Sequence, residues 1–268
     1  MSRFLALPAE IRLLVYEHLL DDGGHTWLTI RSMPEEDTAR QGTHTRRRSR
    51  YYILDGSLHR RCYETTYGLA TASTEFHTAV MATCRRVHEE AAWVLYGRHS
   101  FDFGPDTEAV VPFLRDRTDG SRGLLRGISV RKQGPAPTLE RDKSEWAHLC
   151  RYLAAEGGVR ALRLVVEGGR PAGAWDGPQA FSARDLRALL GARHESMDWV
   201  AELARVKGLQ QLEVVPAYQH CPAPRTAEMV VFAALSASIE EGLAQLLRQQ
   251  LRIGPEYPAV AASGQLIV

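Results

Sequence analysis

The chain has 268 residues, 44% of them apolar and 24% charged, with a formal net charge of +1. That composition excludes a disordered chain, and a net charge so near zero argues against a dedicated nucleic-acid binder, because any such contact would need a local patch. The four cysteines, Cys62, Cys84, Cys150 and Cys221, stand far apart with no CxxC pair, which is the usage of a reducing compartment.

Leu5 to Arg12 opens a first helix, with Pro8 suited to the first helical position and Glu10 to the positive end of the helix dipole. Glu10 and Arg12 also break this apolar run before signal-peptide length, and no stretch approaches a membrane span, so the expectation is an intracellular protein, cytoplasmic, nuclear or both. Ile11, Leu14, Val15, His18 and Leu19 recur at helical spacing and predict one buried stripe, stopped by Gly23-Gly24. Residues 25–30 and 50–55 carry the β-branched and aromatic content of two strands and predict a hairpin inserted at about 21–75. Its long tip, residues 31–49, leads into an arginine cluster from Arg46 to Arg50, a solvated loop by default and otherwise a short nuclear signal or a nucleic-acid contact.

A second helical unit starts near Ser73 or Thr74. Val80, Cys84, Val87, Ala91, Val94 and Leu95 predict its buried face, and Gly97 a left-handed cap. A short strand at Phe101-Asp102-Phe103 follows. After a break at Gly104-Pro105-Asp106 comes a short helix containing Val110, Val111, Phe113 and Leu114.

Three segments then share one spacing: Leu125-Ile128-Val130, Val159-Leu162-Leu164 and Leu209-Leu212-Val214 each place apolar residues first, fourth and sixth. That LxxLxL pattern is the logic of leucine-rich-repeat strands, each parallel to the next. Helices fit between them. Trp146, Leu149, Cys150 and Leu153 form a stripe ending at Gly157-Gly158; Ser182 and Asp185 resemble a capping box before Leu186, Leu189 and Leu190; Met197, Val200, Leu203 and Ala204 form another stripe. The intervals are unequal and segment 168–178 interrupts them, so a regular α/β layer is the alternative. A last helix carries Ile239, Leu243, Leu246, Leu247 and Leu251, before a tail at 254–268.

The paired motifs resemble those of fungal F-box-like proteins, LPxEIRxxIYxxLL and then TCRxxxEEAxxxLYGxxxFxF. The matching residues are Leu7, Pro8, Glu10, Ile11, Arg12, Val15, Tyr16, Leu19 and Leu20, then Thr83, Cys84, Arg85, Glu89, Glu90, Ala91, Leu95, Tyr96, Gly97, Phe101 and Phe103. The resemblance covers about residues 4–103. It implies docking on the linker subunit of a cullin-type ubiquitin ligase through Leu7, Pro8, Ile11, Val15 and Leu19, with Cys84 and Val87 behind them. The chain departs from the standard motif in having about fifty intervening residues, and in Arg12, where an apolar residue is usual. The same residues could instead bury one another in a core. Only Lys132, Lys143 and Lys207 are lysines among 33 basic residues; a surface with few ubiquitin acceptors suits ubiquitylation machinery, and codon usage in a GC-rich genome gives the same bias.

Catalytic chemistry is sparse. His88-Glu89 begins an HExxH motif, but position 92 is alanine. His77, Cys84 and His88 could share one helix face, yet a metal needs a fourth converging ligand. There is no GxSxG, P-loop or GxGxxG, and His220 and Cys221 would point to opposite faces of a strand. The expectation is therefore a mixed α/β, non-catalytic interaction protein without a cofactor. An F-box-like helical unit at 1–103 would precede an α/β partner-binding region at 104–253, whose polar strand positions Arg126, Ser129, Arg160, Arg163, Gln210, Gln211 and Glu213 would meet a protein substrate. A self-contained scaffold and an unrecognised enzyme are the rivals.

Overall fold

The computed structural model describes residues 3–20, 27–34, 50–54, 57–61, 65–69, 77–133, 140–171 and 180–254. Helix α1 (Ala9–Leu20) is followed by strand β1 (Trp27–Pro34), a hairpin of β2 (Arg50–Leu54) and β3 (Ser57–Arg61), and β4 (Thr65–Leu69). A 3-10 turn at Thr78–Ala82 leads into α2 (Arg85–Arg98) and β5 (Ser100–Asp102). Then come α3 (Val110–Arg115), α4 (Asp119–Leu124), β6 (Ile128–Lys132), α5 (Glu140–Glu156), β7 (Ala161–Pro171), α6 (Ala183–Gly191), α7 (Asp198–Leu203) and β8 (Gln211–Cys221). The chain continues into α8 (Ala227–Ala237), a π-helical turn at Ile239–Leu243 and α9 (Ala244–Leu251).

The main sheet has six strands in the order β4-β1-β5-β6-β7-β8. β4 is antiparallel to β1, and the other five strands run parallel. This is the mixed α/β class that the alternation of helix and strand predicts. The parallel strands lie side by side in chain order without reversal, so the sheet lacks the switch point at which doubly wound sheets open a ligand crevice.

The period of two along each strand divides the two faces. On β7, Leu162, Leu164 and Val166 are buried, whereas Ala161, Arg163, Val165 and Glu167 are half-buried. Near the end of β7 a Cβ on Gly169 would lie 2.4 Å from the Phe232 ring of α8, so a larger residue would have to push that ring aside. β8 forms the sheet's outer strand among the described residues. The Gln211 N–H donates to the Arg160 carbonyl at 3.0 Å, which turns the odd-numbered residues of β8 toward β7 and leaves Pro216 on the outer side. A proline there sacrifices no ladder bond and blunts the edge against further pairing.

Helix boundaries in the second half follow the local signals. Gly157, Gly158 and Gly208 adopt positive φ after α5 and α7, and Ser182 with Asp185 forms the capping box of α6. Elsewhere the structure corrects the reading. β1 does not pair with residues 50–55: it lies beside β4 and β5, with Ile30 opposite Leu69 and Leu28 opposite Phe101, while β2 turns back on β3. Gly97 is not a left-handed cap, because α2 runs through it to Arg98 and ends at an extended His99. Cys84 is exposed at the N-cap of α2 rather than buried. The boundary expected at residue 103 falls beside β5, a strand between β1 and β6, so both expected regions share one sheet. Helix α8 has no counterpart in the periodicity. Gly23, Gly24, Arg46 to Arg48 and the tail beyond Gly254 lie outside the described residues. No single described helix is long and apolar enough to cross a membrane; α8 and the Ile239–Leu251 segment pass that test only as a pair bent by 59°.

Candidate functional site

The two halves of the paired motif meet where α1 packs on α2. Arg12 is only 2% exposed. Its Nε donates to Glu90 Oε2 at 2.8 Å and its Nη2 to Glu90 Oε1 at 2.6 Å, a two-pronged pairing across 78 residues. Nη1 donates to the Leu7 carbonyl, which fixes the segment entering the helix. The Tyr16 hydroxyl donates to Glu90 Oε2 at 3.0 Å, and Arg86 Nε to Oε1 at 3.1 Å. With every lone-pair direction supplied by a donor, above all Arg12, the Glu90 carboxyl is held down to about 2. Tyr16 is pushed up to about 12, chiefly by burial and then by its bond to Glu90. A second link, Arg98 to Glu17, ties the far ends of the two helices.

This clamp reverses the expected orientation of α1. The buried residues are Arg12, Tyr16 and Leu20, spaced four apart, with Phe4 edge-on to Tyr16 at 5.8 Å. The stripe expected to be buried is largely turned out: Leu7 is 38%, Ile11 45% and Leu14 60% exposed, and Pro8 and His18 are exposed as well. Val15 is half-buried, and Leu19 packs against the core. The linker-facing set is thus divided, with Leu7, Pro8 and Ile11 presented to solvent and Leu19 committed inward. Sequence reasoning placed Leu14 in the core and did not single out Trp93 of α2, which is 49% exposed beneath the Arg98 guanidinium at 5.7 Å. Leu7, Ile11, Leu14 and Trp93 are the exposed large apolar side chains among the described residues. All four sit on the α1–α2 unit.

The polar sheet positions form a second surface. Registers align Thr29, Asp102, Ser129, Arg163 and Glu213 in one row across five parallel strands, so they share the face opposite the buried Leu162 and Leu164. Arg163 stacks 5.6 Å from the Trp27 ring and lies 3.3 Å from Glu213 Oε2. In the neighbouring rows Arg131 pairs with Glu167 at 3.4 Å, and Gln211 is exposed. Arg126, Arg160 and Gln210 are exposed on the turns entering the strands. Ser129 departs from expectation: it is fully buried, and its hydroxyl has no hydrogen-bond partner among the described residues. It cannot touch a partner directly.

The remaining candidate groups have structural roles. His88 Nδ1 lies 3.1 Å from the Met81 carbonyl, and Cys84 is exposed. Burial pushes the Cys150 thiol well above its ordinary range, making it a core residue rather than a nucleophile.

A family model described as a domain of unknown function (DUF7730) matches residues 1–192. The chain belongs to that family. The DUF7730 match runs from α1 through α6 and so takes in both motif halves, the Arg12–Glu90 clamp and the sheet as far as β7. Helix α7, strand β8 and helices α8 and α9 lie beyond the DUF7730 match. No curated protein and no solved structure matches the chain.

Proposed function

We propose that the chain is a non-catalytic protein–protein interaction module, an F-box-like substrate adaptor that docks the linker subunit of a cullin-type ubiquitin ligase through α1. The observation that carries this reading is the outward turn of Leu7, Ile11 and Leu14 while Arg12 and Tyr16 occupy the interior. A helix that only served the core would not bury its arginine while turning Ile11 and Leu14 to solvent beside Leu7; leaving those side chains exposed carries an energetic cost that a partner covering them would offset. Trp93 on α2 adds an exposed ring of the kind enriched in interface hot spots. The polar face around Arg163, Gln211 and Glu213, in the leucine-rich-repeat-like reading of the helix–strand units, is where a protein substrate would bind.

The test is co-elution of the chain with a purified linker subunit on size-exclusion chromatography, beside a Leu7→Asp/Leu14→Asp variant whose folding is checked by circular dichroism. A complex formed by the parent and lost by the folded variant supports the adaptor reading; absence of a complex with the parent rejects it. A second reading, a self-contained scaffold, rests on the Arg12–Glu90 clamp, which gives both motif halves an internal task that needs no partner.

A further inference from the structure

A cleft of about 420 Å³ opens between the α3–α4 corner and helix α5. Arg115 from α3, Arg122 from α4, and His148, Arg151, Tyr152 and Glu156 from α5 line it. The α5 residues recur at three-, four- and eight-residue steps from His148, so one helix face supplies them together. Arg122 is held in place: Nη2 pairs with Asp119, Nη1 lies 3.2 Å from the Tyr152 hydroxyl, and Glu156 Oε2 stands 3.5 Å from Nη1. Arg115 is placed differently. Its guanidinium stacks 5.5 Å from the Tyr152 ring centroid, and it has no carboxylate within ion-pair distance among the described residues. A stacked guanidinium keeps its in-plane N–H donors free to bind an oxyanion.

We propose that this cleft binds a phosphate monoester, with Arg115 as the main anion contact, Arg122 and Arg151 flanking it, and Tyr152 as the platform that holds Arg115 in position. Three arginines line this one concavity, and their forked donors are well suited to the oxygens of a dianionic phosphate. The volume lies within the range of small-ligand sites. Glu156 at the rim opposes anion binding and limits affinity. The proposal does not depend on the adaptor reading.

The test is calorimetric and thermal-shift titration of the full chain with inorganic phosphate and, separately, with O-phosphoserine, each against sodium chloride at equal ionic strength. Saturable binding beyond the chloride control is expected. Arg115→Gln, at an exposed position and so without consequence for folding, should weaken it about tenfold, the loss of one charge-assisted contact. Glu156→Gln should tighten it by about threefold, a gain that a purely structural role for the cleft would not produce. Markedly tighter binding of O-phosphoserine than of phosphate supports the esterified ligand, and equal affinities overturn the monoester assignment in favour of the free anion. No saturable response above chloride, or a response undiminished in Arg115→Gln, overturns the proposal.

Discussion

Replacing Glu90 by glutamine leaves the buried Arg12 guanidinium without its anion while keeping the shape of the side chain. The depression of the Glu90 carboxyl from 4.5 to about 2 corresponds to roughly 3 kcal/mol of stabilisation at neutral pH. The carboxylate side chain is 28% exposed, and solvent screening brings this to about 2 kcal/mol. For a chain of this size that is a fall in Tm of about 4–8 °C, read by calorimetry or far-ultraviolet circular dichroism. Its sign with pH is fixed. A carboxyl whose folded pKa is lowered stabilises fully above about 4.5 and loses that contribution as pH falls toward 2. The difference in Tm between parent and Glu90→Gln should therefore be whole at pH 7 and nearly closed near pH 2, while other carboxylates cancel in the comparison. A difference that is absent at neutral pH, or persists undiminished in acid, would refute the role assigned to the clamp.

Other consequences are equally specific. A Cβ at residue 242 would lie 2.2 Å from the Phe181 carbonyl oxygen, and backbone cannot yield as a side-chain tip can; Gly242→Ala should cost about 1–3 kcal/mol, seen as a lower urea midpoint at unchanged slope. Leu14→Asp should move stability by no more than about 0.5 kcal/mol, whereas Leu20→Ala, at a fully buried position of the same helix, should cost about 2–5 kcal/mol in the same denaturation assay. Tyr16 and Tyr67 are both pushed up to about 12 by burial. The folded chain therefore keeps protons that the unfolded chain releases from about pH 10, and stability should decline as pH rises from there toward 12. Ultraviolet difference absorbance should show these tyrosines ionising only above the range of exposed ones; ionisation at the ordinary value in the folded chain would contradict their burial.

The second half of the fold was legible because its signals are local. Gly157 and Gly158 follow α5 at positive φ, Ser182 caps α6, and the apolar spacing located β6, β7 and β8 near their observed starts. The failures share a physical cause. Helix α1 offers two faces at helical spacing, one with Ile11, Leu14 and Val15, the other with Arg12, Tyr16 and Leu20, and a count of apolar residues chooses the first. What decides otherwise is Glu90, distant in sequence; the signal was the coexistence of an arginine in one motif and paired glutamates in the other. β1 was given the wrong partner because strand composition does not encode long-range pairing. Helix α8 was missed because Met229 to Leu235 is apolar on every side and so has no period to detect. The Arg115 cleft draws on three helices, and no motif links its residues.

Among the candidate surfaces, the division of the first motif into an inward clamp and an outward docking face is the central claim. It is tested most directly by isothermal titration of a cullin-type ligase linker subunit into the parent chain and into an Ile11→Asp/Leu14→Asp variant with unchanged Tm. The claim predicts saturable binding by the parent and none by the variant. Equal binding by both, or none by the parent, would contradict it.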